Sequence, residues 1–200
     1  MNDALRIILP VYLATFFAIG VAWRSYLIRK RTGINPFVVG KSGGTIDFIG
    51  KLYALPIVLI LASVLMYSVF PEYYQYTLPI PWLDSSYIKL PGLILMAVAL
   101  VWTATAQMQM GTSWRIGIDT KNETELIRKG LFRVSRNPIF LGMRIALFGF
   151  FLSLPNAFTL LAAVVADVLM QIQVRLEEEF LTRAHGEKYA EFCKEVRRWI

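Results

Sequence analysis

Residues 138–174 read PIFLGMRIALFGFFLSLPNAFTLLAAVVADVLMQIQV, two apolar stretches parted only by Pro155-Asn156. That dipeptide is a turn signal, so the segment is expected to fold as one tight helical hairpin with arms at 138–154 and 157–174. A helix needs about 20 apolar residues to cross the hydrocarbon of a bilayer, with about 17 as the lower limit. Both arms sit at the short end of that range. Three further apolar runs precede them, at 5–23, 52–70 and 90–110. Together they predict an all-α polytopic membrane protein with about five transmembrane helices and a C-terminal amphipathic cytosolic helix. The chain then forms one membrane domain, 1–200. Three N-terminal spans fill 1–110, and the loop, hairpin and tail fill 111–200.

Composition points the same way. Of the 200 residues, 56% are hydrophobic and the mean hydropathy is +0.51, above the roughly 45–50% apolar content of a soluble domain. The formal charge is +7. The basic residues crowd into 24–51, 111–137 and the tail after Val174, and only Arg6, Lys89 and Arg144 lie elsewhere. Lys and Arg are retained on the cytoplasmic side of membranes. Five spans put all three basic segments on one side, so the N-terminus is expected outside and the C-terminus in the cytosol. The same distribution argues against a nucleic-acid partner, because the charge follows the spans instead of forming a patch. The loop 71–89 carries tyrosines and Trp82, which suits an aromatic belt at the outer interface. The first apolar run precedes its basic cluster, so it reads as a span and not as a cleaved signal. One cysteine (Cys193) and one histidine (His185) provide neither an internal disulfide nor a Cys/His metal site. The stretch GKSGG, 40–44, reads as a loop without the full phosphate-loop pattern.

Ionisable residues inside spans point to function, and there are two. Arg144 and Asp167 lie equally far from the Pro155-Asn156 turn, so an antiparallel hairpin sets them opposite each other at similar depth. Either they pair and make both charges tolerable, or they line a polar cavity. At the inner end of the hairpin, Arg133, Arg136 and Asn137 precede Pro138. Proline suits the first helical position and asparagine the N-cap. A helix N-terminus beside arginines suits a carboxylate or phosphate. The matching end of the other arm carries Arg175, Glu177, Glu178 and Glu179. A region with both signs of charge suits a zwitterionic ligand, or else closes on itself in salt bridges and headgroup contacts. In the tail, Phe192, Val196 and Trp199 recur at helical spacing, which suggests an amphipathic helix lying on the inner membrane surface, set apart from the last span by Gly186.

The stretch LIRKGLFRVSRNPIFLG, 126–142, resembles the "LVxxGxYxxxRHPxYxG" pattern of the isoprenylcysteine carboxyl methyltransferases and related phospholipid methyltransferases. The tail RLEEEFLTRAHGEKYAEFCKEV, 175–196, resembles their "REEExLxxxFGxxYxxYxxxV". The stretch 110–117 is similar to the segment before the first motif in bacterial members. Asn137 stands where many members have histidine, Phe140 where they have tyrosine, and His185-Gly186 where they have Phe-Gly. The resemblance implies an integral membrane enzyme that uses S-adenosylmethionine at the cytosolic end of the last two spans. It implies that Gly130 and Leu131 offer backbone to the cofactor and that Arg136, Asn137 and Pro138 shape its pocket. Gly142 would let the cofactor approach closely, Glu178 and Glu179 would hold its ammonium, and Tyr189 would fill the tail's aromatic position. Arg144, Arg175 and Glu178 are the candidates for handling the acceptor.

The expected function is S-adenosylmethionine-dependent methyl transfer to a lipidic or membrane-associated carboxylate, thiol or amine, with membrane lipids as surroundings. The bacterial cytoplasmic membrane is the expected location. Two alternatives belong to other classes: an NADPH-dependent membrane reductase of the sterol or steroid type, and a non-catalytic lipid-binding protein.

Overall fold

A computed structural model describes residues 2–38, 45–117 and 125–200. The 40–44 stretch lies outside the described residues. All regular structure among them is helical. α1 (Asn2–Phe17), a π-helical segment (Ala18–Trp23) and α2 (Arg24–Thr32) run on as one rod. α3 (Thr45–Leu52) and α4 (Ala54–Ser68) are joined at Tyr53 and form a second. α5 (Ser86–Met110) and α7 (Ala157–His185) complete four helices long and apolar enough to cross a membrane. α6 (Pro138–Ser153) is apolar but shorter, with 16 residues. α8 (Glu187–Glu195) follows α7 after a break at Gly186. The outward faces of the apolar stretches carry large exposed hydrophobic residues, among them Ile7, Val58, Val101 and Val164, as lipid-facing surfaces should.

The predicted hairpin is present, and its turn is a buried hub. The Asn156 side chain accepts from the Thr159 amide at 2.9 Å, and the Thr159 hydroxyl accepts from the Asn156 amide at 3.3 Å, a reciprocal cap. Backbone bonds from Ile80 to Pro155 and from Ala157 to Leu78 tie the outer loop to this turn. The core beside it gathers Leu5, Leu9, Ile60, Val64, Met96, Phe150, Leu154 and Ala162.

α5 and α6 pack with their backbones nearly touching. A Cβ on Gly92 would lie 2.7 Å from the Gly149 carbonyl, and one on Gly149 would lie 2.7 Å from the Gly92 carbonyl. Small residues permit such close approach between membrane helices. At about 1.5 Å per residue, α6 is roughly 24 Å long, less than the roughly 30 Å of a hydrocarbon core. α6 and α7 leave the same turn with 16 and 29 residues respectively, so the N-terminus of α6 is sunk relative to the far end of α7.

The tail corrects the sequence reading twice. The apolar arm expected at 157–174 continues as helix to His185, while the break expected at Gly186 is present. The apolar side of α8 does not rest on lipid: Tyr189, Phe192 and Val196 are buried against Phe132 of the connecting loop. Helical spacing also failed at the end, since Val196 is extended and Trp199 lies outside the helix.

Candidate functional site

The sunken N-terminus of α6 is the centre of a polar cluster. Arg136 precedes the helix and reaches across to α7, where Nη2 donates to Glu178 Oε1 at 2.9 Å and Nε at 3.3 Å. Both side chains are nearly enclosed, with 12% and 13% of their surface exposed. Arg198 grips the same carboxylate from the tail, with Nη2 donating to Oε2 at 2.7 Å. A nearly enclosed carboxylate between two guanidiniums is a strong, charge-assisted arrangement. Those bonds to Glu178 raise the Arg198 pKa above the ordinary guanidinium value.

The segment after α8 lies over the α6 N-terminus as a strap. The Arg197 carbonyl accepts from the Arg136 amide at 3.0 Å. The Arg198 carbonyl accepts from Ser135 Oγ at 3.1 Å and Asn137 Nδ2 at 3.3 Å. Arg136 Nη1 also donates to the carbonyls of Cys193 and Val196, each at 3.2 Å. One arginine thus satisfies two carbonyls at the C-terminal end of α8, that of Cys193 within the helix and that of Val196 just beyond it. Trp199 then stacks on Arg144, whose Cζ lies 4.5 Å from the indole ring centroid.

Arg144 Nε donates to Asp167 Oδ1. Of the two readings open for these residues, the structure takes the ion pair. With Asp167 on one side and Trp199 on the other, Arg144 joins the hairpin to the strap.

The remaining candidates divide. Pro138 is buried at the first turn of α6, and its carbonyl accepts from Trp102 Nε1 at 2.9 Å. Asn137 holds the N-cap position without capping: its side chain donates to Glu178 and Arg198 instead. Gly130 has a positive φ of 62°, and a side chain there would strike Gln109. The Leu131 amide expected to face cofactor already donates to Gln109 Oε1 at 2.7 Å. Gly142 faces protein, since a Cβ there would collide with Thr103 and touch Trp102 of α5. Tyr189 is buried against Phe192, and burial, reinforced by the Glu178 carboxylate, pushes its phenol well above the usual range, so it stays neutral. Glu179 is exposed and pairs loosely with Arg183 at 3.5 Å. Arg175 is exposed and bonds the Gln171 carbonyl of its own helix. Glu179 does not join Glu178, because adjacent residues on a helix point about 100° apart, and Arg175 is engaged by the backbone of its own helix instead. The sequence reading missed Arg198, Trp199 and Gln109. The Arg197-Arg198-Trp199 run was the available signal, read there as topogenic charge and an amphipathic stripe.

The donor set suits S-adenosylmethionine on chemical grounds. Arg136 and Glu178, which satisfy each other here, offer the cation and anion that the carboxylate and ammonium of its methionine moiety require. A family model described as phospholipid methyltransferase matches residues 88–188. That span takes in nearly all of α5, the whole of α6 and α7, Arg136 and Glu178, and the chain belongs to the phospholipid methyltransferase family. A search of curated proteins returned no significant match.

Proposed function

We propose that this protein transfers a methyl group from S-adenosylmethionine to a membrane lipid at the cytosolic face of the bilayer. The observation that carries this reading is the Arg136–Glu178 pair at the sunken start of α6, inside the family-matched region. Arg136 would hold the cofactor carboxylate and Glu178 its ammonium, with Asn137 beside both. When bound, the cofactor supplies an electrophilic methyl on a sulfonium. The protein's own contribution is orientation, which alone can be worth about 7–11 kcal/mol.

Glu178 is already held by two arginines, so binding requires Arg198 to give way. Beyond Glu178 the strap is held by backbone carbonyls, by the buried Val196 side chain and by the Trp199–Arg144 stack, so Arg198 can exchange its partner while the strap stays anchored. Arg144 is committed to Asp167 and Trp199 and serves to brace the strap. The family match supports methyl transfer over the hydride transfer of a sterol-type reductase. The basic loops support an N-terminus outside and a C-terminus in the cytosol.

The test is methyl transfer itself. Detergent-purified protein is incubated with methyl-labelled S-adenosylmethionine and a total membrane lipid extract. Label in the organic phase that disappears with Arg136→Ala supports the reading. No transfer by folded protein, with any lipid class, contradicts it.

A further inference from the structure

The seam between α6 and α7 carries charged groups that the fold leaves half used. At about 1.5 Å per residue, Asp167 lies roughly 16 Å along α7 from the Asn156 cap, near the middle of a hydrocarbon core of about 30 Å. Arg144 stands at the same depth on α6 and pairs with it. Neither side chain is enclosed, since 30% of the Arg144 surface and 41% of the Asp167 surface are exposed. The pair uses one guanidinium nitrogen, Nε, and one carboxylate oxygen, Oδ1. Arg144 Nη1 and Nη2 and Asp167 Oδ2 have no hydrogen-bond partner among the described residues. Trp199 lies against the guanidinium, but an indole offers it a ring face and no acceptor oxygen. Gly142 and Gly149 hold the other side of α6 on α5, so Arg144 points away from that contact. One turn nearer the Pro155-Asn156 turn, Phe148 on α6 and Val164 on α7 are both exposed.

Lipid tails can cover Phe148 and Val164, but they offer no donor or acceptor to the unused groups. Headgroups lie about half a hydrocarbon core away, beyond the reach of a short aspartate side chain. Charged residues inside spans face protein or water-filled space and pair there. Here the unused groups have both signs and sit side by side at one depth. Such a patch is self-complementary. A twofold axis along the membrane normal, set at the seam, brings the donors of one copy opposite the acceptor of the other. We propose that the α6–α7 seam is the surface on which a second copy of this chain docks. Arg144 Nη1 and Nη2 of each copy donate to Oδ2 of Asp167 of the partner subunit, which closes a ring of four charges. α6 of one copy then faces α7 of the other, and Phe148 packs on Val164 of the partner subunit. Association satisfies the leftover groups without bringing net charge into the bilayer, and hydrogen bonds between polar side chains are among the forces that join membrane helices.

The test measures association of the full chain in phosphatidylcholine vesicles. In a Cys193→Ser background, Tyr76→Cys copies are labelled with a donor or an acceptor dye, and energy transfer is followed as the protein is diluted in lipid. Transfer above the level of randomly mixed copies, persisting on dilution, is expected. The Arg144→Leu/Asp167→Leu double variant removes the charges as a matched pair, so its hairpin is expected to fold. Its association should weaken on the order of tenfold or more, the loss expected for a charged hydrogen bond. A second readout needs no change to the charges. Oxidation of mixed Phe148→Cys and Val164→Cys copies should give a disulfide-linked dimer, whereas Val101→Cys copies, altered on the lipid-facing side of α5, should give none. Transfer at the random level in the parent would mean that lipid alone covers the seam, and overturns the proposal. Full association by the double leucine variant, or a Val101→Cys cross-link in place of the Phe148–Val164 one, would put the second copy on another face and overturns it equally.

Discussion

At the scale of single residues, the end of the molecule around Glu178 is governed by who pairs with whom. Arg144 and Asp167 show this within the membrane. Asp167→Asn removes the carboxylate partner of an arginine in a span, and a charge at a span's centre costs about 2.5–3.5 kcal/mol. Thermal unfolding in detergent should show a loss of that order. Replacing both residues by leucine should recover most of it, because an apolar pair often equals a paired charge in stability. A double variant less stable than Asp167→Asn alone would mean that the pair has a role beyond charge compensation. The pairing was legible in the sequence, since equal distances from one turn fix equal depth in an antiparallel hairpin. The partners of Glu178 were only half legible. Arg136 could be placed because both hairpin ends are local to one turn. Arg198 could not, because the strap returns through a loop geometry with no period to read. Gly142 was read as a site for close cofactor approach, whereas its missing side chain is used by Thr103 and Trp102. A sequence shows that a glycine makes room, but not for what.

Among the elements, hydropathy marked where lipid ends and not where a helix ends. Glu, Leu and Arg after Val174 are all good helix formers, so α7 runs on through the interface to His185 while its surroundings change from lipid to protein and water. The same confusion placed α8 on the membrane: an apolar stripe on a charged helix shows that something covers it, and here the cover is Phe132. α5 and α6 depend on their glycine contact. Gly149→Ala should cost about 1–3 kcal/mol through overpacking, measurable as reduced thermal stability, and a neutral result would mean that the two helices stand further apart. The strap should matter locally. Ending the chain after Val196 removes the carbonyls that hold Arg136, Ser135 and Asn137. Hydrogen exchange should then quicken in α8 and the 130–137 segment but not in α5 or the hairpin. Equal quickening everywhere would show that the strap supports the whole fold.

For the whole molecule, the distribution of charge and apolar length gave the architecture before any contact was known, because a bilayer admits few arrangements of five apolar helices. The site was less legible, since it is assembled from a loop, a helix start, a helix extension and the last residues of the chain. Topology has its own check. In a Cys193→Ser background, a cysteine at Tyr76 should react with an impermeant thiol reagent from outside whole cells, and one at Lys188 only after the cells are opened. The reverse pattern would invert the orientation and move the site to the other face. The central claim, that the Arg136–Glu178 pair receives S-adenosylmethionine, is tested most directly by equilibrium binding to the detergent-purified protein, with NADPH measured in parallel. The account predicts saturable binding of S-adenosylmethionine, none of NADPH, and an affinity lowered on the order of tenfold to a hundredfold in folded Glu178→Gln protein, the loss expected for a charged hydrogen bond. Binding of NADPH alone, or S-adenosylmethionine binding indifferent to Glu178, would contradict it.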